Sequence, residues 1–175
     1  MWVDLEMTGL DVDRDVILQA AAVITTAGLE PLAEWACDVW QPEEKLHGMT
    51  PFVRQMHEKT GLLERVRKST ISSADAEGQL LEFVTSWCNY RSVLCGNTVW
   101  QDKVFIDRHW PGVSKYLHYR VLDVSTIKTL ARRWHGEAAV FKKSEEGAHD
   151  ALFDIKYSIA ELAHYKRTLF KAPSL

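Results

Sequence analysis

Several features that mark other protein classes are scarce in this 175-residue sequence. The longest purely apolar run, residues 20–24, is far too short to span a bilayer, so we expect no membrane partner. No basic segment followed by an apolar stretch opens the chain, which argues against a secretory signal. The three cysteines form no CxxC pair, which argues against a disulfide framework or zinc site and favours reduced thiols. These features predict a cytoplasmic protein; a mitochondrial location is the alternative if an N-terminal extension is missing.

Positive charge is not in excess either. The net charge is -3, from 21 basic and 24 acidic residues. Binding to a long nucleic acid depends on many phosphate contacts, so this balance argues against such a partner. A short nucleic acid held by a few residues stays compatible with it. The sequence shows no internal repeat, low-complexity tract or linker, which predicts a single domain over residues 1–175.

Apolar patterns predict strands in the N-terminal part of the chain. Residues 1–6, about 16–25 and about 32–40 predict three strands, and the second is almost wholly apolar, as in a strand buried on both faces. Short connections, with Gly28 and Pro31 in the second turn, predict an antiparallel meander. Two further short strands are predicted at 93–95 and 121–122.

Helical signals dominate the rest of the chain. Thr50 before Pro51 predicts a helix start, Gly61 its end, and Ser72 or Ser73 the cap of a longer helix. Apolar residues at helical spacing predict three buried faces: Ala76, Leu80, Phe83, Val84 and Trp87; Ile127, Leu130, Ala131 and Trp134; Leu152, Ile155, Ile159 and Leu162. A strand meander followed by alternating helices and strands predicts an α/β fold, RNase H-like, with a mixed sheet flanked by helices.

Two carboxylates stand close together in the first predicted strand. Because successive side chains of a strand point to opposite faces, Asp4 and Glu6 emerge on the same face. Carboxylates so close repel each other unless a cation neutralises them. The alternative is an exposed edge strand with a solvated acidic face.

A third carboxylate, Asp102, falls on the apolar stripe of a predicted helix that begins near Val99 and includes Phe105 and Ile106. A carboxylate that faces the core is costly unless it is paired or binds a metal. A structural salt bridge to a distant arginine is the alternative.

The last cluster is the segment HDALFD, residues 149–154. We expect His149 on the loop before the last helix, Asp150 near the N-cap and Asp154 inside the helix. A histidine near an aspartate is more often structural than catalytic, so this segment alone decides nothing. Together with the other carboxylates it forms the set D-x-E, D and H-x-x-x-x-D. Mg²⁺ and Mn²⁺ prefer such oxygen ligands, and two such ions can bind the attacking and leaving oxygens of a phosphodiester. An imidazole has the near-neutral pKa suited to deprotonating water.

Five stretches of the chain resemble the oligoribonuclease family of DEDDh-type 3′→5′ exoribonucleases. They are VDLEMTGLD, CGNTVWQDKVF, HYRVLDVST, LARRW and HDALFDI, and the resemblance runs from Met1 to about Tyr165. The D-x-E and H-x-x-x-x-D patterns occur in many exonucleases, whereas the TGLD, HYR-x-LDVST and LARRW stretches are much more specific. The resemblance implies an RNase H-like homodimer that hydrolyses very short RNAs, dinucleotides above all, with two divalent ions, Mg²⁺ or Mn²⁺.

The resemblance also implies a role for individual residues. It makes Asp4, Glu6, Asp102 and Asp154 the metal ligands and His149 the general base. Leu10 would wedge against the bases, Phe52 would stack on a base and His57 would contact the substrate. The 5′ phosphate would be bound by Thr98, Arg120, Ser125 and Thr126, with Tyr119 contributed by the partner subunit. An arginine with several hydroxyls matches a terminal phosphate.

Four positions depart from the family pattern. Gln19 replaces a glutamate, Phe52 a tryptophan, Phe153 an aspartate, and Trp100 a smaller or more polar residue. None of these changes removes a proposed ligand or the base, so we expect an active but diverged member. Two alternatives stay open: a DEDDh exonuclease for other substrates, such as a DNA-proofreading subunit or a structured-RNA trimmer, and a non-catalytic RNA-binding module.

Overall fold

The first strand lies at the centre of a mixed sheet. A computed structural model describes residues 1–142 and 150–170, and within these ranges five strands form one sheet in the order β3-β2-β1-β4-β5. They are β1 (Trp2–Met7), β2 (Ile17–Thr25), β3 (Pro31–Asp38), β4 (Ser92–Gly96) and β5 (Leu117–Asp123). Strands β1, β2 and β3 form the predicted antiparallel meander, while β4 runs parallel to β1 and β5 parallel to β4.

Helices follow the meander and alternate with the last two strands. They are α1 (Glu43–His47), α2 (Pro51–Lys59), α3 (Leu62–Lys68), α4 (Ser73–Trp87), α5 (Trp100–His109), α6 (Pro111–Tyr116), α7 (Val124–His135) and α8 (Ala151–Thr168), with a 3₁₀ turn at Glu137–Ala139. This arrangement confirms the predicted α/β, RNase H-like fold. None of the helices in the two described ranges is long and apolar enough to cross a membrane.

The helix starts follow the signals in the sequence. Thr50 accepts a hydrogen bond from the backbone N–H of Val53, with Pro51 as the first helical residue. Ser72 forms a capping box with Asp75 at the start of α4. Asp150 caps α8 by accepting from the backbone N–H of Phe153. Such caps satisfy N–H groups that have no partner inside the helix, so the last cap fixes where the helix that carries Asp154 begins.

The alternation of β1 divides the core into two layers. Val3 and Leu5 pack with buried residues of α4, α5 and α6, including Leu80 and Phe105. Trp2 packs on the other face, against buried residues of α7 and α8. Because side chains of a strand alternate, Asp4 and Glu6 share the face of Trp2. The strand therefore presents its carboxylates to α8.

Two predicted core residues lie at the surface. Trp87 is the last residue of α4 and Trp134 lies one residue before the end of α7, and both are exposed. Their helical spacing is correct, but these last turns extend past the buried part of each face. The prediction that both tryptophans pack in the core was therefore wrong. In β2, by contrast, residues 17–24 are all buried, which confirms the strand buried on both faces.

Candidate active site

Three predicted metal ligands meet where β1 faces α8. One oxygen from each of Asp4, Glu6 and Asp154 lies within 4.8 Å of the other two. Asp4 and Glu6 reach this point because they lie two residues apart on β1, and Asp154 because it lies in the first turn of α8. Three carboxylates at this separation repel one another strongly unless a cation neutralises them, and oxygen is the donor that Mg²⁺ and Mn²⁺ prefer. The donor set therefore fits a divalent metal ion.

Asp102 occupies a different place beside the same strand. It lies on α5, is 7% exposed, and its Oδ1 accepts a hydrogen bond from the backbone N–H of Leu5 at 2.9 Å. Burial raises the pKa of Asp102 to about 7, although the N–H donated by Leu5 acts in the opposite direction. Asp102 is not one of the three residues whose oxygens meet. Its role as a metal ligand stays a prediction.

A cavity of about 360 Å³ opens beside this cluster. Its walls combine two of the clustered carboxylates with hydroxyl, amide and amino groups. The lining residues are Asp4, Asn97, Thr98, Ser125, Lys128, Asp154, Tyr157, Ser158 and Glu161. Thr98 and Ser125, two of the residues predicted to bind a 5′ phosphate, thus lie in the same cavity as Asp4 and Asp154.

The segment before α5, which carries Thr98, and the first turn of α7, which carries Ser125, are joined by Asp123 at the end of β5. Asp123 Oδ1 accepts from the backbone N–H of Thr98 at 3.0 Å, from the N–H of Ser125 at 3.0 Å and from the Ser125 hydroxyl at 2.6 Å. Thr98 has a φ of 54°, in the left-handed region. This carboxylate thereby holds an uncommon backbone conformation in place at the cavity wall. Sequence reasoning assigned no role to Asp123, although an aspartate before Ser-Thr at a helix start is a recognisable N-cap signal.

Other predicted substrate-binding residues lie outside the cavity lining. Leu10, Phe52 and Tyr119 are 70%, 75% and 73% exposed. Arg120 is exposed on β5, and its guanidinium lies over the ring of Tyr119, 5.4 Å from the ring centroid. Thr126 is exposed on α7. The structure leaves all five accessible and outside the lining of this cavity, so their substrate contacts stay predictions.

His57 is buried behind the carboxylate cluster. Its Nε2 is 2.9 Å from the carbonyl oxygen of Met7, so this nitrogen donates, and its Nδ1 is 4.0 Å from Glu6 Oε2. The ring is fully enclosed by protein. This position holds the end of β1 against α2. The predicted contact between His57 and the substrate is not tested by this arrangement.

The departures from the family pattern have distinct surroundings. Gln19 is buried in β2, directly opposite Glu6 on β1. Its Nε2 donates to Asp38 Oδ1 at 2.9 Å, and its Oε1 accepts from the backbone N–H of Ala151 at 3.1 Å. Phe153 packs against Tyr157, with ring centroids 4.9 Å apart. Trp100 is largely exposed at the start of α5, and nothing in the structure explains its size.

Two residues, one predicted and one not, need separate mention. His149, the predicted general base, lies outside the described residues, so its place relative to the cluster is a prediction. Lys128, in contrast, lines the cavity but was not singled out from the sequence. A lysine on a helix is ordinarily interpreted as a solvated surface residue. Lys128 lines the cavity only because α7 packs against α8.

The sequence is similar to a family of exonucleases and to individual oligoribonucleases. The exonuclease family model RNase_T matches residues 1–162. Oligoribonuclease of Pseudomonas paraeruginosa is 48% identical over 98% of this chain and 96% of its own length, and oligoribonuclease of Vibrio parahaemolyticus 46% identical over 98% and 95%.

Solved structures support the fold. Exonuclease I has a TM-score of 0.75 at 15% identity, over 95% of this chain, and exonuclease I of Methylocaldum szegediense has a TM-score of 0.63 at 18% identity, over 96%. The chain spans only 40% of the length of either exonuclease I chain, so this likeness concerns the fold alone.

The sheet order, the carboxylates on β1 and α8 and the family match define an exonuclease, a class of hydrolase whose fold family implies divalent metal use. Within that class, the sequence identity of 46–48% to oligoribonucleases over 98% of the chain identifies the family. The chain belongs to the oligoribonuclease family of 3′→5′ exoribonucleases.

Proposed function

We propose that this protein hydrolyses very short RNAs, dinucleotides above all, to 5′-mononucleotides, working from the 3′ end. The observation that carries the proposal is the cavity that brings Asp4 and Asp154 together with Thr98 and Ser125. Carboxylates suited to metal binding and hydroxyls in one cavity suit a substrate with a scissile phosphodiester and a nearby second phosphate. The 48% identity to oligoribonucleases supports the same substrate class.

The carboxylates would hold two divalent ions, Mg²⁺ or Mn²⁺. Asp4, Glu6 and Asp154 supply the donor set, and Asp102 is the further predicted ligand. Such ions, when bound, supply Lewis-acid stabilisation of the charge on the attacking and leaving oxygens. The protein's own part is to hold the carboxylates rigidly, through the β1–β2 pairing and the Asp150 cap of α8.

His149 would act as the general base from the segment directly before α8. Its imidazole would take a proton from the attacking water as the new P–O bond forms. The bond between phosphorus and the 3′ oxygen of the preceding nucleotide then breaks. That oxygen leaves as an alkoxide and takes a proton from solvent to become the 3′ hydroxyl of the shortened strand, and the released nucleotide keeps the 5′ phosphate.

Residues that contact the 5′ end of the substrate, away from the metal ligands, would restrict the length of the substrate. Thr98, Arg120, Ser125 and Thr126 would bind the 5′ phosphate, while Leu10 and Phe52 would pack against the bases. The exposure of Leu10 and Phe52 supports such contacts, because it leaves both side chains open to a ligand. A fixed span between phosphate site and metal site favours a dinucleotide over longer RNA.

We also propose a cytoplasmic homodimer. Tyr119 is 73% exposed on the edge strand β5, which makes it accessible to a second copy. In such a dimer Tyr119 of each copy would reach the substrate of the other. Cys37, Cys88 and Cys95 are free thiols, which suits a reducing compartment.

The test is kcat/KM as a function of RNA length, from 5′-phosphorylated dinucleotides to 20-mers, with Mg²⁺, Mn²⁺ and chelator compared. We expect a maximum at the dinucleotide and no turnover with chelator. Arg120→Ala should remove a charge-assisted contact of about 1.5–3 kcal/mol for dinucleotides and barely affect longer RNAs.

Arg91→Ala is the matched control. Arg91 likewise lies over a neighbouring tyrosine, 5.6 Å from the ring centroid, but at the other end of β4 from the cavity. It should leave the length profile unchanged. A flat wild-type profile would favour a general DEDDh exonuclease, and the absence of metal-dependent turnover would favour a non-catalytic RNA-binding module.

A further inference from the structure

Lys128 is the basic residue that the described part of the chain places in the cavity wall. It lies three residues after Ser125 on α7, and residues three apart share one face of a helix. Both side chains line the cavity with Asp4 and Asp154. The ammonium group is therefore on the same wall as a predicted phosphate-binding hydroxyl.

A buried carboxylate holds the lysine in this position. Lys128 Nζ is 3.1 Å from Glu161 Oε1, and the Glu161 side chain is 6% exposed. Glu161 also accepts from Asn97 Nδ2 at 2.9 Å and from the Tyr165 hydroxyl at 2.9 Å. Burial, together with Glu161, raises the pKa of Tyr165 to about 12, so its hydroxyl stays a donor. Glu161 is thus fixed from three directions.

The pair is oriented. Both residues line the cavity, but the Lys128 side chain is 34% exposed and that of Glu161 6%, so the ammonium is the more accessible end of the pair. An ammonium has three N–H donors, and Glu161 takes one. The other two are available to a ligand that enters the cavity.

The hydrogen bonds accepted by Asp123 increase the need for Lys128 as a donor to a phosphate in the cavity. The backbone N–H of Thr98 and both donors of Ser125 are given to Asp123 Oδ1. A phosphate bound by Thr98 and Ser125 must compete with Asp123 for those hydrogens. It therefore needs another donor, preferably a charged one, because charge-assisted hydrogen bonds to phosphate are the stronger ones.

We propose that Lys128, positioned by Glu161, is a substrate-binding residue that recognises the terminal 5′ phosphate of the nucleotide in this cavity. This inference rests on the proposed function and extends it. It assigns to α7 a cationic donor in addition to Arg120, and it makes Glu161 a positioning residue rather than a catalytic one.

The experiment measures discrimination between a phosphorylated and an unphosphorylated 5′ end. Calorimetry with chelator-treated protein gives Kd for 5′-AMP and for adenosine without a metal ion to hold the phosphate, and kinetics with Mg²⁺ gives kcat/KM for dinucleotides with a 5′ phosphate or a 5′ hydroxyl. In the wild type, the phosphorylated compound should be preferred in both assays. Lys128→Met should reduce that preference about tenfold or more, the equivalent of one charge-assisted contact, and Lys128→Arg should restore part of it.

Two further variants keep the test decisive. Lys156→Met is the matched control, because Lys156 pairs with Glu34 at 2.9 Å and does not line this cavity; it should leave the preference intact. Removing Lys128 alone leaves a buried carboxylate without its cation, which can unfold a protein. The double variant Lys128→Met with Glu161→Gln removes both charges and keeps one side-chain oxygen that can accept from Asn97. It should also lose the preference.

The outcomes separate this inference from the proposed function. Equal preference for 5′-AMP in the wild type and in both Lys128→Met proteins would overturn the role of Lys128, as would a wild type that does not distinguish 5′-AMP from adenosine. A wild type that binds 5′-AMP through Lys128 but fails to hydrolyse dinucleotides would instead reject the proposed function alone.

Discussion

The buried carboxyl group of Asp102 makes the stability of the metal-free protein depend on pH. In the folded protein the pKa of Asp102 is about 7, whereas an unfolded chain releases this proton near pH 3.9. Between those values the folded state binds more protons than the unfolded state, so the free energy of unfolding falls as the pH rises. The difference in pKa corresponds to about 4 kcal/mol, lost progressively from pH 4 to pH 8.

Asp102→Asn isolates this contribution. The amide has nearly the same shape, can still accept from the N–H of Leu5, and does not titrate. We expect the unfolding free energy of the wild type, relative to that of Asp102→Asn, to decrease by about 4 kcal/mol between pH 4 and pH 8. Urea unfolding of chelator-treated protein across this range measures it. Asp107→Asn, at an exposed carboxylate of the same helix, keeps Asp102, so its unfolding free energy should fall with pH as that of the wild type does.

Metal addition tests the same residue a second way. A ligand that binds only the folded state raises stability by mass action. Mg²⁺ should therefore stabilise the wild type at pH 8 and stabilise Asp102→Asn much less, if Asp102 is a metal ligand. A difference between wild type and Asp102→Asn that stays constant within about 1 kcal/mol from pH 4 to pH 8 would refute the assignment of a raised pKa to burial.

Three further predictions concern neighbouring residues. Asp4→Ala or Asp154→Ala should abolish metal-dependent turnover while circular dichroism stays native, because removing one of three clustered carboxylates relieves repulsion; near-normal turnover would contradict the metal site. His149→Ala should lower kcat about 10²–10⁴-fold at neutral pH with substrate affinity retained, and a kcat within a few-fold of wild type would exclude it as the base. Gln19→Glu should lower the free energy of unfolding at pH 7 by about 1–3 kcal/mol, because a carboxylate cannot donate to Asp38; urea unfolding measures this, and unchanged stability would contradict it.

The sequence was sufficient to predict the sheet because its signals are local. An unbroken apolar segment predicts a strand buried on both faces, and Ser72 and Asp150 mark helix starts through their side-chain chemistry. The D-x-E spacing likewise determines that Asp4 and Glu6 share a face of β1. Each of these inferences needs only a few neighbouring residues.

Other features depend on how distant elements pack. Helical periodicity gives the direction of Trp87 around its axis but not how far the core extends along the helix. The spacing of Asp102 shows that it faces the core, but not that its carboxylate accepts a hydrogen bond from the backbone N–H of Leu5. Lys128 and Glu161 resemble ordinary surface charges until α7 and α8 pack together.

The cluster joins the first strand to the last described helix, and this has a consequence for how the enzyme is made. Asp4 and Glu6 leave the ribosome early, whereas Asp154 follows about 150 residues later. Synthesis at about 5–20 residues per second separates these events by roughly 10–30 seconds. Until α8 docks on β1, a growing chain carries two of the three clustered carboxylates and lacks part of the cavity wall. We therefore expect nascent chains to be inactive on the RNA around them, with nuclease activity appearing only when the fold closes.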